Sequence, residues 1–387
     1  MSVRKRTWVT RRGEAKEAWI VDYVDGQGDR HIRTFERKKD ADAYRGQVTV
    51  DVGLGVHTAP SKSITVREAG DLWIETGENN ELERTTLDSY EQHLRLHIVP
   101  LLGNEKLASL TTAAIRNFED KLRQKGLSPV MRRRIIISLG SLLADAQERG
   151  HVAQNVVRSL RASRKGKDRR ERRENGKLRV GVDIPTPDEI ARIAAQLKGR
   201  WRPLLLTAIF TGLRASELRG LRWEDLDLKR AEVHVRQRAD KYNEMGRLKS
   251  QRSERTVPLP PKLVSVLREW KLQCPKGELG LAFPNGAGNV ENIQNILVRG
   301  FHPVQQAAGV VTKGGKPKYT GVHALRHFFA SWCINRKQDG GLELPLKVVQ
   351  ERLGHSTVVL TADRYSHLFP RGDDGAELAA AEKFLLP

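Results

Sequence analysis

Hydrophobic positions along the chain change their period three times, and each change marks a stretch with its own predicted structure. In residues 1–57 the apolar positions gather in two runs, Trp19-Ile20-Val21-Asp22-Tyr23-Val24 and His31-Ile32-Arg33-Thr34-Phe35, on either side of the turn-forming Asp25-Gly26-Gln27-Gly28-Asp29. That pattern predicts a hairpin, followed by a short helix from about Lys38 that ends at Gly53 and Gly55. Ala59 to Ser63 reads as a linker. From Thr65 the period becomes helical: Thr65 and Glu68 form a capping box, and Ala69, Leu72, Trp73 and Thr76 share a face. Leu87, Tyr90, Leu94 and Ile98 continue the period until Pro100, Ile115, Phe118 and Leu122 form a third stripe, and Ser128-Pro129 opens a fourth helix carrying Ile135, Leu139, Leu142, Leu143 and Ala146. Residues 63–157 therefore predict a four-helix domain.

Over residues 158–180 the apolar pattern stops. RSLRASRKGKDRRERRENGKLRV holds eleven Lys/Arg against three Asp/Glu, a net +8, and cannot offset its ordering entropy by burial. The segment either tethers two folded domains or straps across a phosphate backbone, through Arg164, Lys165, Arg169, Arg170, Arg172 and Arg173. On the fourth helix Arg132, Arg133 and Arg134 are further candidate DNA contacts, or simply a solvated face. From 181 to the C-terminus a mixed, mainly helical domain is expected. Thr186-Pro187-Asp188-Glu189 is a second capping box. Ala231 to Arg236 alternates as a strand, and Arg247-Leu248-Lys249-Ser250 is expected to face Arg255-Thr256-Val257-Pro258-Leu259 across a polar turn. After Pro370, an apolar stripe of Ala376, Leu378, Ala379, Phe384 and Leu385 would dock on its own domain or on a neighbouring subunit. The fold class is thus multidomain and mainly α, with small β elements.

Charge narrows the partner. The 387 residues carry a formal +21, which points to nucleic acid or another polyanion. Two cysteines, Cys274 and Cys333, cannot form a disulfide framework, so a reducing cytoplasmic compartment is expected. No apolar run approaches the ~20 residues of a membrane span. The basic N-terminus lacks the apolar stretch of a secretory signal.

Candidate chemistry gathers in the last domain: Arg214 and Glu217 in TGLRASEL, Lys249 in LKS, His323 and Arg326 in HALRH, His355 in LGHS, and Tyr365 ten residues later. His323 and His327 stand at i,i+4, but the glutamate of a zinc-protease helix is missing, as is a third ligand, so no metal and no cofactor is assigned. Two arginines, a lysine, two histidines and a tyrosine are a set matched to a phosphodiester. Arginine forks hold non-bridging oxygens, tyrosine is a nucleophile once a base takes its proton, and a lysine can protonate the leaving oxygen.

These motifs resemble the tyrosine recombinase, or phage integrase, family, and the resemblance runs the length of the chain. It implies that Arg214, oriented by Glu217, and Arg326 clamp the scissile phosphate, that His323 accepts a proton near the nucleophile, and that His355 hydrogen-bonds the phosphate. Lys249, with Lys241, Arg247 and Arg252 as neighbouring cations, would protonate the departing 5′ oxygen, and Tyr365 would form a 3′-phosphotyrosine. It further implies double-stranded attachment sites as partner, a homotetramer on DNA, and no ATP, consistent with the lack of a phosphate-binding G-x-x-x-x-G-K-[ST] loop. Some members also work with an excision factor or a DNA-bending host protein. The first 57 residues resemble an arm-type DNA-binding module with a three-stranded sheet, for which Lys5 to Val9 is the candidate third strand; such a module favours integration and excision of a mobile element. A type IB topoisomerase, which rejoins the original strand, and a catalytically silent DNA-binding regulator are the competing readings.

Overall fold

A computed structural model of the chain describes residues 1–9, 15–26, 28–53, 63–158, 177–248, 253–369 and 382–383. Contacts divide it into two units, Met1–Asp168 and Arg169–Pro387.

The first unit begins with a sheet of β1 (Ser2–Val9), β2 (Ala15–Val24) and β3 (Arg30–Phe35), antiparallel in that order, followed by α1 (Lys38–Gly53). The third strand is present and longer than its sequence candidate. In β2, Ile20 and Val21 are both buried, with Ala18 and Tyr23, so its residues do not simply alternate. Val21, Tyr23, Ala41 and Val48 form the module's small core. The helical part of this unit contains α2 (Val66–Asn79), α3 (Arg84–His93), α4 (Val99–Leu102), α5 (Thr112–Gln124) and α6 (Pro129–Glu148). Thr65 closes its expected capping box with Glu68, and Ser128 accepts the backbone N–H of Met131 ahead of Pro129. One expectation needs correction. Helix does not stop at Pro100: the backbone widens into i to i+5 bonds over Leu94–Ile98, and α4 resumes with Pro100 in its first turn, where a missing N–H is not needed. The stripes converge on one core that includes Trp73, Ile98, Phe118, Leu122, Ile135, Leu139 and Leu143. Arg133 and Arg134 are exposed on α6 and Arg132 is half-buried; of the basic run, Arg164 to Arg173 lie outside the described residues.

The second unit opens with α7 (Pro187–Gln196), α8 (Trp201–Thr211) and the short α9 (Ala215–Arg219). Glu189 caps α7 and also accepts from Tyr319 Oη at 2.7 Å and Lys318 Nζ at 2.5 Å, so one buried carboxylate ties the helix start to a distant loop. Five short strands follow: β4 (Leu226–Asp227), β5 (Glu232–Val235), β6 (Gln237–Ala239), β7 (Met245–Arg247) and β8 (Arg255–Pro258). Here the expected pairing is wrong. β7 pairs with β6, Gln237 opposite Arg247, whereas β8 pairs with β5, Val233 opposite Val257. β5 takes up the expected Ala231–Arg236 stretch and pairs with β8, while β6, which lies just beyond that stretch, is the partner of β7. Helices then return as α10 (Pro261–Gln273), α11 (Ile293–Asn295), which widens over Ile296–Phe301 into α12 (His302–Ala307), and α13 (His323–Ile334), α14 (Leu346–Leu353) and α15 (Val358–Tyr365).

α13 is buried almost all round, ten of its twelve residues, because it runs through the middle of the core formed with Leu205, Ile209, Val257, Leu267 and Leu353. Its polar residues are therefore held by packing. The C-terminal stripe after Pro370 falls outside the described residues, apart from Glu382 and Lys383.

Candidate functional site

Two left-handed glycines fix the frame. Gly212 ends α8 at φ 61° and Gly354 ends α14 at φ 61°, a conformation that costs a side-chain-bearing residue energy. Both positions are crowded as well: a Cβ would lie 2.4 Å from Phe329 at Gly212 and 2.8 Å from the guanidinium of Arg255 at Gly354. The helix-end carbonyls beside these turns then serve as acceptors. Arg326 donates to Gly212 O at 2.7 Å and to Leu353 O at 2.5 Å, and Arg214 donates to Gly354 O at 3.0 Å.

Glu217 joins the cations. As third residue of α9 it accepts the backbone N–H of Arg214 at 2.7 Å, the capping-box contact that glutamate at this spacing provides, and it pairs with the Arg214 guanidinium at 2.6 Å. The same carboxylate takes both Nη atoms of Arg255, at 3.1 and 2.7 Å. Burial of Glu217 would by itself raise its pKa, but the paired Arg255, then Arg214 and Arg326, outweigh that and hold it at about 2. Arg255 came from sequence only as part of a strand. It is buried, anchored also to Arg352 O at 2.8 Å, and links α9, β8 and the end of α14.

Arg326 is 2 % exposed, and its hydrogen bonds among the described residues go to carbonyls, with no carboxylate in contact. Burial and then Arg214 lower its pKa to about 9, which leaves it charged at neutral pH. Arg214, 34 % exposed at its side chain, stands on the solvent side of the same cluster. Three arginines against one glutamate leave an excess of buried positive charge. Such a site is stabilised by an anion.

Tyr365 closes α15 and is 1 % exposed. Its hydroxyl lies 2.7 Å from Nδ1 of His327, which sequence reasoning considered only as half of a rejected zinc pair. The His323 ring stands edge-on to His327, centroids 4.6 Å apart, with an exposed edge. His355 uses Nδ1 on Thr361 Oγ1 at 2.8 Å, and its ring lies parallel to Tyr365 at 6.3 Å between centroids. Burial and then the surrounding cations depress all three imidazoles: Arg326 leads for His323, to about 4, and for His355, to about 3, while for His327, also about 3, His323 leads and Arg364 follows. Burial raises the Tyr365 phenol to about 12, against the opposing pull of Arg326 and Arg364. The structure thus brings together Arg214, Glu217, His323, Arg326, His355 and Tyr365. Lys249 lies outside the described residues; of its neighbouring cations, Arg247 ends β7 and Lys241 lies in the β6–β7 turn, while Arg252 is likewise outside.

Comparison with known proteins agrees with this geometry. Residues 185–371 match the model of the phage integrase family, and residues 65–123 match the SAM-like N-terminal domain of phage integrases. The chain belongs to the tyrosine recombinase family. It is accordingly a site-specific enzyme that cleaves and rejoins DNA. A tyrosine recombinase XerC-like protein of Caldanaerobacter subterraneus subsp. tengcongensis is 26 % identical over 360 residues, spanning 86 % of this chain and 87 % of that protein. Among solved structures, the integrase of transposon Tn1549 in complex with transposon right end DNA has a TM-score of 0.64 at 18 % identity, covering 83 % of this chain and 99 % of that one. A lambda integrase tetramer bound to a Holliday junction has a TM-score of 0.55 at 16 % identity, covering 91 % and 95 %. Among the described residues of this recombinase, no helix is long and apolar enough to cross a membrane, and no group of three or more His, Cys, Asp or Glu is arranged to hold a metal ion.

Proposed function

We propose that this recombinase integrates and excises a phage or other mobile element in the cytoplasm of a bacterial host, through a 3′-phosphotyrosine on Tyr365. The observation that carries the reading is the buried Arg326, hydrogen-bonded to carbonyls with no carboxylate in contact among the described residues, beside the half-exposed Arg214, both on one carbonyl frame with the tyrosine nearby. A scissile phosphate supplies the missing negative charge. Tyr365 Oη would form a bond to phosphorus as the bond from phosphorus to the 5′ oxygen breaks. The phenol proton goes to a histidine, and Lys249 protonates the departing oxygen. A 5′-hydroxyl from the partner duplex then reverses the step and joins the new strand, so no ATP is consumed. His355, with Nδ1 held by Thr361, has its other ring nitrogen left for the phosphate.

Four strands must be exchanged, which calls for four subunits on two sites, and the lambda tetramer supports that assembly. The three-stranded module at residues 1–57 would hold arm-type sites, and residues 63–157 and 181–387 would grip the core site with the basic 158–180 segment on its backbone. An excision factor or a DNA-bending host protein would set direction. Incubating the protein with two labelled duplexes carrying the attachment sites from its own genetic neighbourhood tests the reading: recombinant strands are expected. Cleavage that only ever restores the original strand would instead identify a type IB topoisomerase.

A further inference from the structure

The hydrogen bond to the nucleophile goes to a residue that the family pattern did not assign. We propose that His327 is the immediate acceptor of the Tyr365 proton, and that a phosphate seated on Arg214 and Arg326 is what makes it basic enough to act. The inference rests on Tyr365 being the nucleophile and deepens that reading.

Geometry carries it. His327 Nδ1 is 2.7 Å from Tyr365 Oη, both groups are buried, and His323 makes no hydrogen bond to that hydroxyl among the described contacts. Besides the Tyr365 phenol, the groups that act most on His327 are cations or other imidazoles: His323 and Arg326 from its own helix, Arg364 from α15, and His355 from the turn after α14. In this setting the imidazole stays neutral and can accept a proton at Nδ1. The buried phenol has the opposite bias, and proton transfer between them is strongly uphill in the free protein. A phosphodiester brings one negative charge against Arg326, the residue next to His327. It offsets the repulsion that disfavours an imidazolium, and the phenolate that it would repel does not accumulate, because the oxygen's charge passes into the forming O–P bond. The nucleophile is then activated only with DNA in place, which protects a buried tyrosine from reacting with anything else.

The step balances. The O–H bond of Tyr365 breaks toward His327 Nδ1 as the O–P bond forms and the P–O5′ bond breaks; the 5′ oxygen is protonated separately, and His327 returns its proton to Tyr365 when the strand is rejoined.

The test uses the full chain and a nicked duplex that traps the covalent adduct. H327Q, which can hydrogen-bond but not ionise, should slow single-turnover adduct formation by roughly 100-fold or more, the usual scale of a general base, with DNA affinity unchanged. Replacing Tyr365 with a fluorinated tyrosine, whose phenol is more acidic, should restore at least tenfold of that loss. A merely structural histidine gives no such rescue. H327Q within threefold of the parent, or no rescue, overturns the proposal. Should H327Q fail to bind DNA, NMR titration of the His327 ring in the parent decides: vanadate, as phosphate mimic, should move its titration to higher pH by at least one unit, and an unmoved midpoint overturns it. Y365F separates the two readings. If Y365F still forms adduct, the nucleophile assignment fails first. If Y365F abolishes adduct while H327Q leaves it intact, only the present proposal fails.

Discussion

Replacing Glu217 by glutamine keeps the shape of the side chain and removes the one negative charge that two arginines share. The carboxylate takes four hydrogen bonds, two from Arg214 and two from Arg255, in a site where the Arg255 side chain is 4 % exposed. Its pKa falls from an ordinary 4.5 to about 2. At about 1.4 kcal/mol per unit, that difference corresponds to stabilisation on the order of 3 kcal/mol at neutral pH. The general cost of breaking a buried pair by removing one partner, about 3–5 kcal/mol, agrees. Because the pKa is depressed on folding, this stability is fully present above the unfolded value near 4.5 and is lost as pH falls from there through about 2. Amide hydrogen exchange resolved to α8 and α13 reads the second unit separately from the first. E217Q should lower the opening free energy of these helices by roughly 3 kcal/mol at pH 7, and the gap should shrink to about 1 kcal/mol at pH 3, where the parent has lost most of the same interaction. A gap below about 1 kcal/mol at pH 7, or one that does not change with pH, would refute the reasoning.

Two further expectations follow from the same frame and from charge. G212A must adopt φ 61° and push a methyl to within 2.4 Å of Phe329, so it should cost about 2–4 kcal/mol by thermal unfolding and weaken adduct formation by displacing the carbonyl that holds Arg326; an unchanged melting temperature would contradict this. Neutralising Arg169, Arg170, Arg172 and Arg173 together should flatten the plot of log K against log salt by roughly 0.9 for each phosphate that these arginines neutralise in the parent, and an unchanged slope reduces the segment to a tether.

Much of the fold was legible because local rules and packing agree. Thr65–Glu68 and Thr186–Glu189 both form the capping boxes their spacing announces, and the stripes of α5 and α6 face the core as read. The misses have physical causes. Pro100 stays helical because a widened turn absorbs it, and the β6–β7 pairing uses a strand, Gln237–Ala239, that lies beyond the alternating Ala231–Arg236 stretch. At the site, the ordered Arg, His, Arg, His and Tyr were visible as residue types, while Arg255 and His327 were not. A signal existed for each. Arg255 sits in step with Val257 and Leu259 on the inward face of its strand, where a charge demands a buried partner. His327 precedes the apolar run Phe328-Phe329-Ala330 of α13, and a polar group buried with it must find a hydrogen bond. Their partners, Glu217 and Tyr365, are 38 residues away in each case, and no periodicity connects them.

Everything proposed for the site turns on one covalent bond. Mass spectrometry of the protein after incubation with a nicked attachment-site duplex should find a 3′-phosphoryl DNA adduct on the peptide that contains Tyr365, with Y365F forming none while binding the same duplex with nearly parental affinity. Adduct on another residue, or adduct recovered from Y365F, would contradict it.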